Sequence, residues 1–509
     1  MKKRITLLFV LVVVSLLALF VGCSGDPQDN NSGNNPNGNT GGVVEPPQGE
    51  TETVTFTVTF KNADGTVLDV QEVPQGGSAT APTQPTMNST ADKSYTFKEW
   101  SADFSNVQSN LTITAVYTES VRQYSVTFKD NAGNILTSSQ VDYNGYAQEP
   151  TLNLSDSQGF IGWYKDSECL TEYVFGEDTV TTDMEIYAKL TDVSMLTFTL
   201  KDDSTYEVTS ALTEFEGEIY IPYKYKNAIV SSIGEQAFYY CSGITNIEIP
   251  QSISTISNGA FAGCSSLTSI ELPDQLSSLG SAAFQNCSNI TSIVIPETIT
   301  ALPTNIFLNC SNLAYVTLHE KITAINDYAF KGCRNLESLT IPQSATYLGV
   351  EALRQCSKLT EITIPNNITE LSQALFSECT SLTNVYLPDS LEVIGASAFY
   401  KCTSLTQFNF PSGLREIKSY AFSACSGLEN ISMPSGLMTL GSSVFQVCTN
   451  LKAVTIPGSL TSIGGKVFER CSALQTINIM MSQSRFEQLT LRTNWDTGIP
   501  YACNINYYG

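Results

Sequence analysis

Eleven cysteines, Cys241, Cys264, Cys287, Cys310, Cys333, Cys356, Cys379, Cys402, Cys425, Cys448 and Cys471, recur every 23 residues without an insertion or deletion. A fixed period of this length marks a chain assembled from stacked supersecondary units. Three residues before each Cys stands Phe, from Phe238 to Phe468, with Leu353 the one replacement; three after it stands Ile or Leu, from Ile244 to Leu474. Within one unit, Cys264 to Asn286, the alternation of Leu267, Ile270 and Leu272 predicts a short strand. Leu276, Leu279 and Ala283-Phe284 predict a return by turns and a short helical piece. A loop this small cannot close a core of its own. Stacked neighbours must share one, with parallel strands at about 4.8 Å per coil and a sheet roughly 50 Å long over eleven coils.

The Cys column could in principle be a disulfide or metal framework, but it contains no C-x-x-C pair and its number is odd. Stacked side chains also point the same way rather than toward each other, so reduced thiols acting as small buried hydrophobes are expected. The chain of 509 residues has 26 Lys+Arg against 49 Asp+Glu, a formal charge of −23, and one His. That balance argues against nucleic acid, which is gripped by cations that neutralise phosphates. A single His leaves no two-His metal site, and His319 stands where other coils carry Pro, as a substituted turn residue. No Walker loop, HExxH, GxSxG or EF-hand loop is present, so no enzyme activity, no metal and no cofactor are expected.

The N-terminus reads differently. Met1-Lys2-Lys3-Arg4 and the apolar run Ile5 to Val21 form an export signal over 1–22. Leu19-Phe20-Val21-Gly22-Cys23 resembles a bacterial lipobox, which implies lipid attachment at Cys23; a plain signal peptide cut elsewhere, or an uncleaved anchor, is the alternative. Residues 23–52 are Asn, Gly, Pro and Gln with hardly an apolar residue, and are expected to be a disordered tether reaching roughly 30 Å. Ser24 after Cys23 would fit sorting to an outer membrane. The expected location is therefore the cell envelope, lipid-anchored and exposed at the surface.

Between Val54 and Asp192 the chain repeats loosely. Val58-Thr59-Phe60-Lys61 matches Val126-Thr127-Phe128-Lys129, and Phe97-x-x-Trp100 matches Phe160-x-x-Trp163. Each unit is expected to be mostly strand, its Trp anchoring a small core. Gly159-Phe160-x-Gly162-Trp163-Tyr164 and the closing Ile186-Tyr187-Ala188 resemble the internalin B-type, or Listeria–Bacteroides, repeat, a β-grasp-like module of bacterial surface proteins. The expected modules are 53–118 and 121–192, acting as spacers.

The 23-residue unit resembles the BspA variety of leucine-rich repeat. The expected fold is thus mostly β with short helical or turn segments: a solenoid of about eleven repeats over 229–479, an N-cap over 193–228 and a C-terminal cap over 480–509. The usual Asn ladder is missing, replaced by Ser252, Gln275, Thr298 and similar residues with Asn367 a lone exception, so Pro turns and water are expected to satisfy the backbone there. The resemblance implies binding on a concave strand face, where outward residues are mostly Ser, Thr and Asn. Tyr315, Glu361, Tyr386, Glu248 and Glu271 stand out as candidate ligand-binding residues, the two tyrosines either as rigid anchors or as cross-strand fillers. The function it implies is that of an adhesin-like module for an extracellular protein or glycan, on host matrix or other cells. The alternative is a structural or carbohydrate-binding envelope protein without a host role.

Overall fold

The computed structural model describes residues 52–490 and 494–509. The expected signal, Cys23 and nearly all of the tether lie outside the described residues. Among these, the chain is almost entirely strand and turn, with one short α-helix at Gln483–Phe486.

The first module is a four-stranded sheet in the order Val67–Pro74, Thr55–Lys61, Leu111–Val121, Lys93–Trp100. Its strand faces alternate, so Val58, Phe60 and Ile113 fall on one side and are buried. Trp100 meets the Phe60 ring edge-on at 5.0 Å, which is how so small a core is closed. The second module repeats the device, with Trp163 edge-on to Phe128 at 5.2 Å.

The second module is not a detached bead. Its strand Gln158–Tyr164 pairs with Lys224–Tyr225, which pairs in turn with Ala228–Ile233 at the entrance to the repeats, so one sheet runs from module to solenoid. Gly159 makes this join possible: a Cβ there would sit 2.6 Å from Pro222 and 2.8 Å from Val193. Lys224 adds an ion pair to Glu149 at 2.7 Å, and Asn227 donates to the Leu152 carbonyl at 2.8 Å.

The 23-residue coils bond to their neighbours on three sides. One is the predicted strand, as in Ile244–Glu248 and Ser269–Ile270, paired in parallel. The second is a two-residue ladder such as Thr255–Ile256 against Ser278–Leu279. The third is the return before each Cys, and here the structure departs from the expected helical piece. The return is all turn, with left-handed residues five and one before the Cys, such as Gln236 (φ 57°) and Tyr240 (φ 55°) or Ala282 (φ 57°) and Asn286 (φ 60°). Such backbone is unfavourable for most side chains. It turns alternate N–H groups outward to the next coil: Gln236, Phe238 and Tyr240 donate to Asn258, Ala260 and Ala262 at 3.0, 2.7 and 2.8 Å. A helix would have kept those donors for itself.

Inside, the Phe side chains stack coil on coil with centroids 5.1 to 5.8 Å apart from Phe238 to Phe330. Leu353 interrupts the column, which resumes at Phe376 and ends against Trp495, edge-on to Phe468 at 6.5 Å. The Cys column is fully buried beside it. From Cys264 on, each thiol lies against the carbonyl oxygen 26 residues earlier, Cys264 on Phe238 at 3.2 Å and Cys425 on Phe399 at 2.9 Å. Burial pushes the Cys379 and Cys425 thiols up to about 12.

The missing Asn ladder also has a different replacement from the one expected. Hydroxyls at the same position donate to the preceding coil: Ser252 to Val230 O at 2.7 Å, Ser344 to Ile322 O at 2.6 Å and Ser459 to Leu437 O at 2.6 Å. Asn367 does the same through its amide, to Gln343 O at 2.8 Å. Where the position is Gly413, a Cβ would stand 2.1 Å from Asp389 O, so the coils approach too closely for any side chain.

Candidate functional site

The strand side of the solenoid presents two outward rows, five and seven residues after each Cys. Their inward neighbours, such as Ile247, Ile270 and Ile293, are buried in the shared core, and this alternation forces the rows into solvent. The five-row runs Asn246, Ser269, Ser292, Tyr315, Ser338, Glu361, and so on; the seven-row holds Glu248, Glu271 and, farther along, Tyr386.

The predicted residues fall into two groups. Glu248 and Glu271 are exposed, adjacent in the seven-row, and share a groove of about 520 Å³ with Asn246 and Ser269. Glu361 and Tyr386 lie on the paired strands Glu361–Thr363 and Asn384–Tyr386, with Tyr386 opposite Thr363. Tyr315, 57% exposed, stands two coils before Glu361. Its hydroxyl donates to Glu337 at 3.0 Å, and that carboxylate raises the tyrosine pKa. Tyr386 is 55% exposed. The structure thus places the two tyrosines on one polar field, away from the acidic pair. Cys23 lies outside the described residues.

A larger groove on this side, about 760 Å³, sits elsewhere, over Gln407, Phe408, Asn409 and Phe410. Here the parallel ladder lapses: of residues 406–410, only the Thr406 carbonyl takes part in a backbone hydrogen bond to a neighbouring coil, from Glu429 N at 3.2 Å. Phe408 and Phe410 stand here where other coils carry Ile, Val, Leu or Met, and Phe408 packs among Phe399, Phe410 and Phe422 at 5.1, 4.8 and 4.7 Å. Gln407, Asn409, Glu429, Asn430, Ser432 and Thr455 surround the opening, so unpaired backbone and short polar side chains face the same space. The two Phe residues in a column of aliphatics were the sequence signal for this groove.

Both ring nitrogens of His319 are engaged within the chain. One ring nitrogen, Nε2, lies 2.8 Å from Pro296 O and the other, Nδ1, accepts from Lys321 N at 3.2 Å, so the ring replaces a turn proline by bridging coils.

Comparison with known proteins gives two family matches. The pattern described as BspA type leucine rich repeat region matches residues 231–359, 279–385 and 373–494. The Listeria-Bacteroides repeat domain matches 56–121 and 124–189. Among solved structures, the chain is similar to a leucine rich cell surface protein from Faecalibacterium prausnitzii A2-165, at 25% identity and a TM-score of 0.41, covering 60% of this chain and 98% of that one. It is similar also to a leucine-rich repeat protein from Bacteroides ovatus (26% identity, TM-score 0.32, 63% and 100% covered). A third is the pneumococcal vaccine antigen PcpA (20% identity, TM-score 0.46, 62% and 92% covered). A Gly-rich membrane protein of Evansella cellulosilytica is 27% identical over 173 residues, 33% of this chain. The chain spans about a fifth of the length of the curated relatives it matches.

Proposed function

We propose, from the premise that the chain belongs to the BspA type leucine rich repeat family, that it is an interaction protein displayed at a bacterial surface, adhesin-like, and that it binds an extended polypeptide along the strand side of its solenoid. Lipidation at Cys23 would anchor it to the envelope, probed by protease accessibility on intact cells, and 23–52 would be the tether. The modules 53–118 and 121–192 would be spacers before an N-cap at 193–228, repeats at 229–479 and a cap at 480–509.

The observation that carries the reading is the lapse of the ladder at 406–410 beneath the groove of about 760 Å³. Backbone N–H and C=O groups left out of a ladder form a template for an incoming extended chain, and side chains beside them set specificity. Tyr315 and Tyr386 would serve as rigid anchors at low entropic cost.

Binding of the full chain to an array of extracellular-matrix proteins tests this. Two variants, Tyr315→Ala with Tyr386→Ala and Phe408→Ile with Phe410→Ile, are compared with the parent. Each is expected to weaken capture about tenfold or more, a change of about 1.4 kcal/mol. Equal capture by both would remove the strand side as the binding surface. Failure of the parent to retain any matrix protein would remove the host-adhesion reading.

A further inference from the structure

We propose that the turn side of the first three coils, opposite in chemistry to the strand side and independent of the reading above, carries a slot for a neutral sugar ring. The slot is about 380 Å³, within the range of small-molecule sites, roughly 300–1,000 Å³. One wall is Tyr239 and Tyr240, 44% and 54% exposed, their rings perpendicular at 87° with centroids 4.5 Å apart. The floor is one coil wide and made of Gly259, Ala262 and Gly263; the far wall is the next coil's Gln285 and Asn286.

The floor is low because these positions are small in this coil alone of the three. Gly263 sits at φ +83°, and a Cβ there would meet the Tyr240 ring at 2.9 Å, so glycine lets the ring lie down against the backbone. The rings are therefore held as a fixed wall.

The polar groups are amides. Among the described residues, the Gln236 and Gln285 side chains have no hydrogen-bond partner, although their neighbours do: Asn258 Oδ1 accepts from Ser281 N at 2.9 Å and Asn286 Oδ1 from Asn309 Nδ2 at 3.0 Å. Those two bonds fix the asparagines and leave each NH₂ to donate elsewhere. Each amide offers both donor and acceptor, the complement of a hydroxyl. Aromatic rings facing amides, with no Asp, Glu, Lys or Arg lining the slot, select a neutral ligand with an apolar C–H face and hydroxyl edges. A pyranose has both.

Later coils show the contrast on the same backbone. The position of Ala262 becomes Lys331 and then Arg354, which pair with Glu351 at 2.7 and 3.0 Å, and Arg354 also pairs with Glu378 at 2.7 Å. Long charged side chains fill the equivalent space there and bind one another.

The test is a glycan array of neutral and anionic oligosaccharides, with titration of any hit, on the full chain and three variants. Ala262→Arg copies a residue the coil accepts elsewhere, so it fills the slot without asking the backbone to change. It and Tyr239→Ala with Tyr240→Ala are expected to lower neutral-glycan affinity tenfold or more at an unchanged thermal midpoint. Tyr315→Ala with Tyr386→Ala is expected to leave it unchanged, which separates this site from the strand side. No neutral glycan retained by the parent at millimolar concentration would overturn the proposal. So would retention by Ala262→Arg equal to the parent's, or a loss seen only in the Tyr315 and Tyr386 variant.

Discussion

Replacing Cys425 by Ala isolates one member of the thiol column. Its Sγ is buried 2.9 Å from Phe399 O, and burial pushes its pKa up to about 12. An unfolded thiol ionises near about 8.5. Below that pH both states hold the proton and the column contributes fully. Above it the unfolded chain releases a proton that the folded chain retains, so stability falls by about 1.4 kcal/mol per pH unit until the folded thiol ionises too. By about pH 10.5 the loss from this one side chain reaches about 2.7 kcal/mol. The alanine variant starts lower at neutral pH, by about 1–2 kcal/mol for the small cavity and the weak hydrogen bond. It orphans no acceptor, because Phe399 O keeps Cys402 N at 3.1 Å. The parent's lead at about pH 7 should therefore vanish or invert at about pH 10.5, read as urea midpoints in reductant. Groups away from Cys425 are common to both proteins and cancel in the difference, whereas Cys402 and Cys448 feel the Cys425 charge and add to it. A lead that is the same at both pH values would refute the thiol assignment, as it would if Cys425 were oxidised in the native protein.

Phe284 sits between Phe261 and Phe307 at 5.5 and 5.8 Å, so Phe284→Ala should cost about 3–5 kcal/mol and Phe284→Leu about 1, since Leu353 shows that the column tolerates that side chain. Denaturant unfolding of the full chain checks both, and an alanine cost below about 1 kcal/mol would mean the column is not a shared core. Ser344→Ala removes the hydroxyl that donates to Ile322 O at 2.6 Å and should cost about 1 kcal/mol. Gly413→Ser, which would seem to complete the hydroxyl ladder, should destabilise instead, because its Cβ would meet Asp389 O at 2.1 Å; a more stable Gly413→Ser protein would show that the coils can part there.

What the sequence disclosed and what it hid divide along a physical line. The period of Cys264, Cys287 and their equivalents reports which side chains must be buried together, because burial repeats wherever the coil repeats. The Trp100 and Trp163 pair reports in the same way on two small cores. Contacts between coils are another matter. Nothing within the segment around Ala282 and Asn286 says that its N–H groups will leave for the next coil, nor does Ser344 alone say that its hydroxyl reaches back 22 residues. The join of Lys224–Tyr225 to Gln158–Tyr164 was hidden for the same reason, and it makes the second module's sheet continuous with the strand at the entrance to the repeats. Of the candidate site, Tyr315 and Tyr386 were legible as outliers in polar rows, whereas the groove at 406–410 needed Phe408 and Phe410 to be read as outliers in their aliphatic column.

The distribution of these contacts bears on where binding can evolve. In a linear array, stability is close to a sum of coil and neighbour terms, so hydrogen bonds given up on one side must be offset on another. The turn side donates at every junction, from Gln236 N to Asn258 O through to Ser443 N to Gly465 O, and the thiol and Phe columns run beside it. The strand side lapses at 406–410, and at 338–341, where no backbone hydrogen bond reaches a neighbouring coil. The coils are thus held together chiefly by the side that carries the left-handed turns, which leaves the strand ladder free to lapse without the array coming apart. Because the turn side stays bonded at every junction, the groove lined by Phe408 and Phe410 should change shape when they become Ile, with little change in the stability of the array. That combination, a reshaped groove at nearly constant denaturation midpoint, is what a surface free to vary for recognition requires.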